Sequence, residues 1–139
     1  MYLCSMISST KLNTLTQKEL KSLLTISLQY CTYTFGVNKR KRTQLQLEVF
    51  DRMYNDKRCA GCYDPITNTM TLFLTPIKTV GELLRTFVHE YTHYLQPCRT
   101  KYMKLYEIHG YHDHPFEIEA YKVEKEHGRK LLNVVKKLI

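Results

Sequence analysis

With 139 residues, 43% of them hydrophobic and 24% charged, the chain has the size of one domain and enough apolar mass for a core, which excludes a disordered segment or a disulfide-stapled miniprotein. The whole span 1–139 is read as a single domain. Lysine and arginine exceed the acids, leaving a net charge of +8, which favours anionic partners but specifies no chemistry. No apolar run approaches the roughly 20 residues of a membrane span, and Met1–Thr10 lacks the basic opening of a signal peptide. Five cysteines, an odd number without framework spacing, fit a reducing, intracellular (cytoplasmic) setting.

In chain order, a first helix is expected from about Thr16 to Tyr33. Thr16 and Glu19 form a capping-box pattern, and Leu20, Leu23, Leu24, Leu28 and Cys31 follow the helical period. Gly36 and Asn38 end it. Gln44 to Phe50 alternates Leu45, Leu47 and Val49 with polar residues, the pattern of a half-buried strand. Cys59–Tyr63 and Thr69–Leu74 read as two short strands joined by the turn chemistry of Asp64-Pro-Ile-Thr-Asn68. Val80 to Gln96 is the clearest helix, with Val80, Leu83, Leu84, Phe87, Val88, Tyr91 and Leu95 on one stripe and Pro97 as its stop. Residues 98–112 look irregular, with room for a short helix at Lys101–Glu107. A last helix opens at Pro115 after Asp113 or His114 as cap, with Phe116, Ala120, Val123, His127, Leu131, Val134 and Leu138 on one face. Gly128 is expected to divide it. The order predicts an α+β fold, a small three-stranded sheet packed by helices.

His89-Glu90-Tyr91-Thr92-His93 is an HExxH sequence inside the best helix. Residues four apart stack on one helix face, so both imidazoles can reach one metal ion. Glu90 stands beside them, placed to accept a proton from an activated water. The wheel sets His89 and His93 opposite the apolar stripe, near Glu82, Arg85 and Thr86, facing a cleft. The competing reading is a pair of surface histidines on a polar face. A hydrolytic zinc site needs a third protein ligand and an open position. His109, His112, His114, Glu117 and Glu119 all qualify by chemistry, and periodicity does not choose between Glu117 and Glu119.

The segments Thr86-Phe-Val-His-Glu-Tyr-Thr-His-Tyr-Leu-Gln96 and His114-Pro-Phe-Glu-Ile-Glu-Ala120 resemble a minimal gluzincin-type zinc metallopeptidase, similar to the ImmA/IrrE-like group and to small phage-type HExxH proteins. The resemblance covers roughly residues 59–125. It implies a zincin-like domain whose third zinc ligand is the first Glu of a Glu-x-x-Ala signature, here Glu117 with Ala120. It also implies that the hairpin before the HExxH helix is the edge along which substrate lies. One position departs: Tyr121 stands where such families often carry Asn or Asp. Glu117 also sits where a capping box anchored on His114 would use it. A second resemblance, to SprT-like proteases that act on DNA-bound proteins, rests on His109-Gly110 and implies a histidine third ligand.

Four tyrosines, Tyr102, Tyr106, Tyr111 and Tyr121, could donate to a tetrahedral intermediate, with Tyr111 singled out, although a packing role is the commoner fate of a tyrosine. Cys59-Ala-Gly-Cys62 is a lone CxxC without a second pair, better read as two small thiols on a strand. Lys39–Arg42 reads as a solvated loop, and no aromatic-interleaved basic platform supports a nucleic-acid partner. The reading is a zinc-dependent peptidase acting on protein or peptide: His89, His93 and Glu117 hold zinc, and Glu90 is the general base. The alternatives are the SprT-like protease and a zinc-binding scaffold that no longer cuts.

Overall fold

The computed structural model describes residues 8–52, 59–97 and 99–138. The N-terminal stretch 1–7, read above for a leader, and Cys4 and Cys98 lie outside the described residues. Among the described residues, a 3-10 turn at Leu12–Thr14 is followed by four α-helices and three strands in the order α1 (Gln17–Phe35), β1 (Gln46–Phe50), β2 (Gly61–Asp64), β3 (Thr69–Phe73), α2 (Val80–Leu95), α3 (Arg99–His109) and α4 (Pro115–Leu138). This is the α+β arrangement that the sequence pattern predicts.

Local chemistry sets the element ends. The Thr16 hydroxyl accepts from the Glu19 N–H at 3.1 Å while the Glu19 carboxylate accepts from the Thr16 N–H at 2.9 Å, the reciprocal capping box that starts α1. Gly36 ends it at φ 81°, a left-handed conformation that glycine adopts without a Cβ clash. Asn68, at φ 52°, closes the β2–β3 turn. Its side chain donates to the Thr43 carbonyl and accepts from the Tyr63 hydroxyl, so one residue ties the hairpin to the entry of β1. The sheet order is β1-β3-β2, with β1 parallel and β2 antiparallel to β3. The hairpin strand β2 is therefore an edge.

Eleven of the sixteen residues of α2 are buried, so it is the central helix rather than a surface one. Leu83, Leu84, Phe87 and Val88 are fully enclosed and meet Met70 and Leu72 of β3, Leu23 and Cys31 of α1, and Leu131 and Val135 of α4 in one cluster. Each such side chain contributes about 1.5–3 kcal/mol by leaving water. Polar ties add to this packing: Tyr91 donates to the Gly36 carbonyl at 2.6 Å, and Asn38 bridges the hydroxyl and carbonyl of Tyr94.

Three expectations need correction. Residues 99–109 form a full helix, α3, longer than the Lys101–Glu107 piece expected within an irregular stretch. Gly128 does not divide α4, which runs unbroken for 24 residues. A Cβ there would stand 2.6 Å from Arg85 Cγ, so the glycine marks close approach of α4 to α2 rather than a break. The buried line on α4 is Glu117, Ala120, Gly128, Leu131 and Val135, rotated from the expected stripe, and Leu138 is exposed. The rotation carries a carboxylate inward at the helix start, which an apolar stripe would not reveal. Among the described residues, no helix is long and apolar enough to cross a membrane.

Candidate metal centre

The site forms where the C-terminal half of α2 meets the first two turns of α4. Nε2 of His89 and Nε2 of His93 are 3.1 Å apart, and each is 3.1 Å from the same oxygen, Oε1 of Glu117. His89, Glu90 and His93 also each offer a ligand atom within 4.8 Å of the others, close enough to hold a metal ion. Of the two carboxylates, Glu117 is the one in direct contact with both imidazoles.

The hydrogen-bond network assigns the protons. Nδ1 of His89 lies 2.9 Å from Oε1 of Glu124, which as a carboxylate only accepts. Gln96 donates its amide to the Phe116 carbonyl and to Glu119, which turns its own oxygen toward Nδ1 of His93 at 2.6 Å. Both Nδ1 atoms therefore carry hydrogen, and in the neutral rings both Nε2 lone pairs point at Glu117. Three lone-pair atoms at 3.1 Å with no proton among them repel unless a cation sits between them. A tetrahedral ion with bonds of about 2.0–2.2 Å has ligand edges of about 3.3–3.6 Å, a few tenths of an ångström wider than the spacing here.

Without an ion, a proton takes that place. Burial lowers the His89 pKa, but hydrogen bonds to Glu117 and Glu124 outweigh it and raise the ring to about 9. His93 is raised in the same way against burial, with Glu117 as its main partner. Burial pushes the Glu117 carboxyl up, but the two imidazoles and the Tyr102 hydroxyl, which donates to Oε2 at 2.8 Å, hold it well below the usual range. Glu90, buried and outside these contacts, moves the other way: loss of water raises its pKa, the histidines oppose this, and Glu117 and Glu124 add to it.

A cleft of about 690 Å³ opens over these groups. His89, Glu90 and His93 form one side, β2 and its turn another, and Tyr102, Met103, Tyr111 and Phe116 an aromatic-rich wall. The imidazoles line the cleft as expected, yet His89 is only 8% exposed because Glu124 and the Tyr121 ring, 4.6 Å between centroids, cover it from α4. At Gly61 a Cβ would meet Glu90 Cγ and Thr86 Cγ2 at 3.1 Å, so any larger residue there would press on the base candidate and Thr86, which would have to give by a few tenths of an ångström.

The other sequence candidates fall elsewhere. His114 is fully buried with both ring nitrogens engaged, Nδ1 accepting from the Phe116 N–H and Nε2 against the Tyr102 carbonyl. It is thus the cap of α4, and its own N–H is bonded to the Tyr111 carbonyl rather than to Glu117, so the capping-box use of Glu117 is not made. His109 and His112 are exposed. Glu119 receives Gln96 instead of facing the imidazoles. Tyr111 lines the cleft with its hydroxyl 3.2 Å from that of Tyr121, and burial holds its proton on. Glu82, expected beside the histidines, turns back to accept from the Lys78 N–H. Cys31 and Cys62 form no disulfide among the described residues, and Cys59 Sγ donates to the Gly61 carbonyl at 2.9 Å. The Lys39–Arg42 run is not simply solvated: Arg40 donates to the Leu95 carbonyl and Lys41 to the Pro65 carbonyl, and both border the cleft.

Sequence reasoning missed Glu124 and Gln96, which orient the imidazoles. A signal for Glu124 was present: it lies seven residues, two helical turns, after Glu117 and so on the same face. Gln96 gave none, since its role depends on tertiary placement. Tyr102, weighed with three other tyrosines as a donor to an intermediate, donates instead to Glu117. No family model, curated protein or solved structure matches the chain.

Proposed function

We propose that the chain is a zinc-dependent peptidase of gluzincin type, with His89, His93 and Glu117 as zinc ligands and Glu90 as general base. The observation that carries this reading is the triangle of two imidazole nitrogens and one carboxylate oxygen at 3.1 Å, with both Nδ1 atoms committed to fixed acceptors. Two nitrogens and an oxygen suit zinc, and a cleft over the triangle leaves space for water and substrate. Bound there, zinc would make a water acidic enough to serve as nucleophile near neutral pH and would polarise the scissile carbonyl.

The remaining work belongs to the chain's own residues. Glu90 does not touch the imidazoles and is buried, so its carboxylate is more basic than an exposed one, which suits it to take the proton from water and return it to the leaving amine. Glu124 and Gln96 fix the ring orientations through Nδ1, and Tyr102 restrains the free oxygen of Glu117. Tyr111, protonated at neutral pH and on the cleft wall, is the candidate donor to the developing oxyanion. The edge strand β2 offers backbone groups to an extended peptide. The exposure of His109 weighs against the SprT-like reading.

The deciding experiment measures metal content and cleavage together. The wild type is expected to carry one zinc per chain and to cut unfolded protein or peptide. Glu90→Gln is expected to keep the zinc and lose cleavage by about 10²–10⁴-fold. A chain that takes up no zinc even after reconstitution would overturn the proposal.

A further inference from the structure

The basic run that the sequence left unexplained sits on the cleft. Arg40 Nη2 donates to the Leu95 carbonyl at 3.0 Å, and its backbone N–H and Nε both reach Asn38 Oδ1. Lys41 Nζ donates to the Pro65 carbonyl at 2.9 Å and lies 5.8 Å from the centre of the Tyr63 ring. These contacts fix two cationic heads in place, Arg40 by the C-terminal end of α2 and Lys41 on the β2–β3 turn. All the acceptors are neutral. Neither cation takes part in an ion pair among the described residues. The one carboxylate of that turn, Asp64, has Oδ1 occupied by the Ile66 N–H, and Asp64 is itself exposed. This end of the cleft thus holds two positioned positive charges against one solvated negative charge. Of the rest of the lining, Tyr102, Met103, Tyr111 and Phe116 carry no charge, and the carboxylates Glu90 and Glu117 lie with the imidazoles at the candidate metal centre.

We infer that Arg40 and Lys41 form a carboxylate-recognising subsite, so that the cleft selects peptides bearing a carboxylate on the side of the β2–β3 turn. The inference rests on the peptidase reading for its substrate class, but the charge asymmetry of the rim stands without it. Pre-positioned donors lose little side-chain freedom on binding; Lys41, half-buried on the cleft, is screened less than a charge on open surface, while Arg40 is exposed and adds a fixed position more than a shielded charge. A carboxylate reaches such a subsite from two sources, an Asp or Glu side chain within the peptide or a free C-terminus. The two imply different cleavage patterns, internal or terminal.

The test uses the full-length Glu90→Gln chain loaded with zinc, so that binding is read without turnover. Fluorescein-labelled peptides of one sequence carry either an internal Glu with an amidated end, the matching Gln with an amidated end, or that Gln with a free carboxylate. Anisotropy at about 50 mM salt should show one carboxylate form binding about fivefold to tenfold tighter than the neutral peptide, a gap that shrinks at high salt. The form preferred identifies the source. Lys41→Glu should abolish the preference, so that the neutral amidated Gln peptide binds at least as tightly as either carboxylate form. Equal affinity for all three peptides in the parent chain overturns the inference, whatever the variants do. Wild-type cleavage of the same peptides separates the two claims. A carboxylate preference in binding without any cleavage supports the subsite and sinks the peptidase reading; cleavage with equal affinities does the reverse.

Discussion

Glu117 uses both oxygens, one on the two imidazoles and the other on Tyr102, whereas Glu119, two residues on, faces away and holds Gln96. A ligand role and a capping role for Glu117 differ in size. Losing a helix cap costs about 1 kcal/mol, while losing a metal ligand removes most of the binding energy. Glu117→Ala is therefore expected to abolish tight zinc binding and Glu119→Ala to weaken it modestly, measured side by side by competition with a chromophoric chelator. The opposite ranking would reassign the ligand. Glu124 acts through His89: Glu124→Gln keeps an acceptor but removes the charge that holds the ring's proton on Nδ1. Zinc affinity should fall by roughly 10–100-fold with the fold intact by circular dichroism. At this scale the sequence was informative where the chemistry is local. The His-x-x-x-His spacing is set within one helix, so it could be read directly. Choosing Glu117 over Glu119 needed the rotation of α4 against α2, which periodicity left even and only the family resemblance decided.

Elements were legible wherever caps and turns mark their ends. Thr16 with Glu19, Asn68 and Pro115 each placed a boundary to within about two residues, because each satisfies a backbone group locally. The misreadings share a cause. Gly128 looks like a breaker in sequence, yet it is buried where α4 crosses Arg85, and α3 is held by contacts such as the stacking of Tyr102 on His114 at 4.0 Å that no local pattern announces. The same close approach makes the α2–α4 seam a sensitive part of the site, since the candidate ligands come from both helices. Gly128→Val should wedge the seam open. A β-branched side chain gains little helix propensity over glycine and meets Arg85 Cγ, so a loss of about 1–3 kcal/mol is expected in urea unfolding. Zinc affinity should fall alongside, although residue 128 lies eleven positions beyond Glu117. Unchanged affinity in a destabilised Gly128→Val chain would show that the site tolerates movement of α4.

For the molecule as a whole, the proposed zinc and a proton would compete for one position, which would link zinc to folding stability and to pH. In the metal-free chain His89 is raised from its ordinary 6.5 to about 9 through Glu117 and Glu124. A group raised on folding contributes its full stabilisation below the unfolded value and loses it as pH climbs through the folded value. The metal-free protein should therefore become less stable between pH 6.5 and 9. Zinc binds the deprotonated rings, so over the same interval its apparent affinity should rise. The window closes near pH 9, where the buried Cys31 thiol and the half-buried Cys62 thiol, held up at about 12 and about 11, begin to add losses of their own in the metal-free chain. Free zinc at a thousandfold its dissociation constant stabilises a fold by about 4 kcal/mol, roughly a 14 °C rise in Tm for a chain of this length. Thermal unfolding with zinc and with chelator, at fixed zinc and in steps from pH 6.5 to 8.5, should show two diverging curves: the chelated Tm falling with pH and the zinc-loaded Tm pulling away above it. His89→Ala should flatten the chelated curve, leaving the smaller slope that His93 contributes through Glu117, and should close the gap, because on this reading one ring serves as both proton acceptor and ligand. Parallel curves in the parent chain would mean that proton and metal do not share the site.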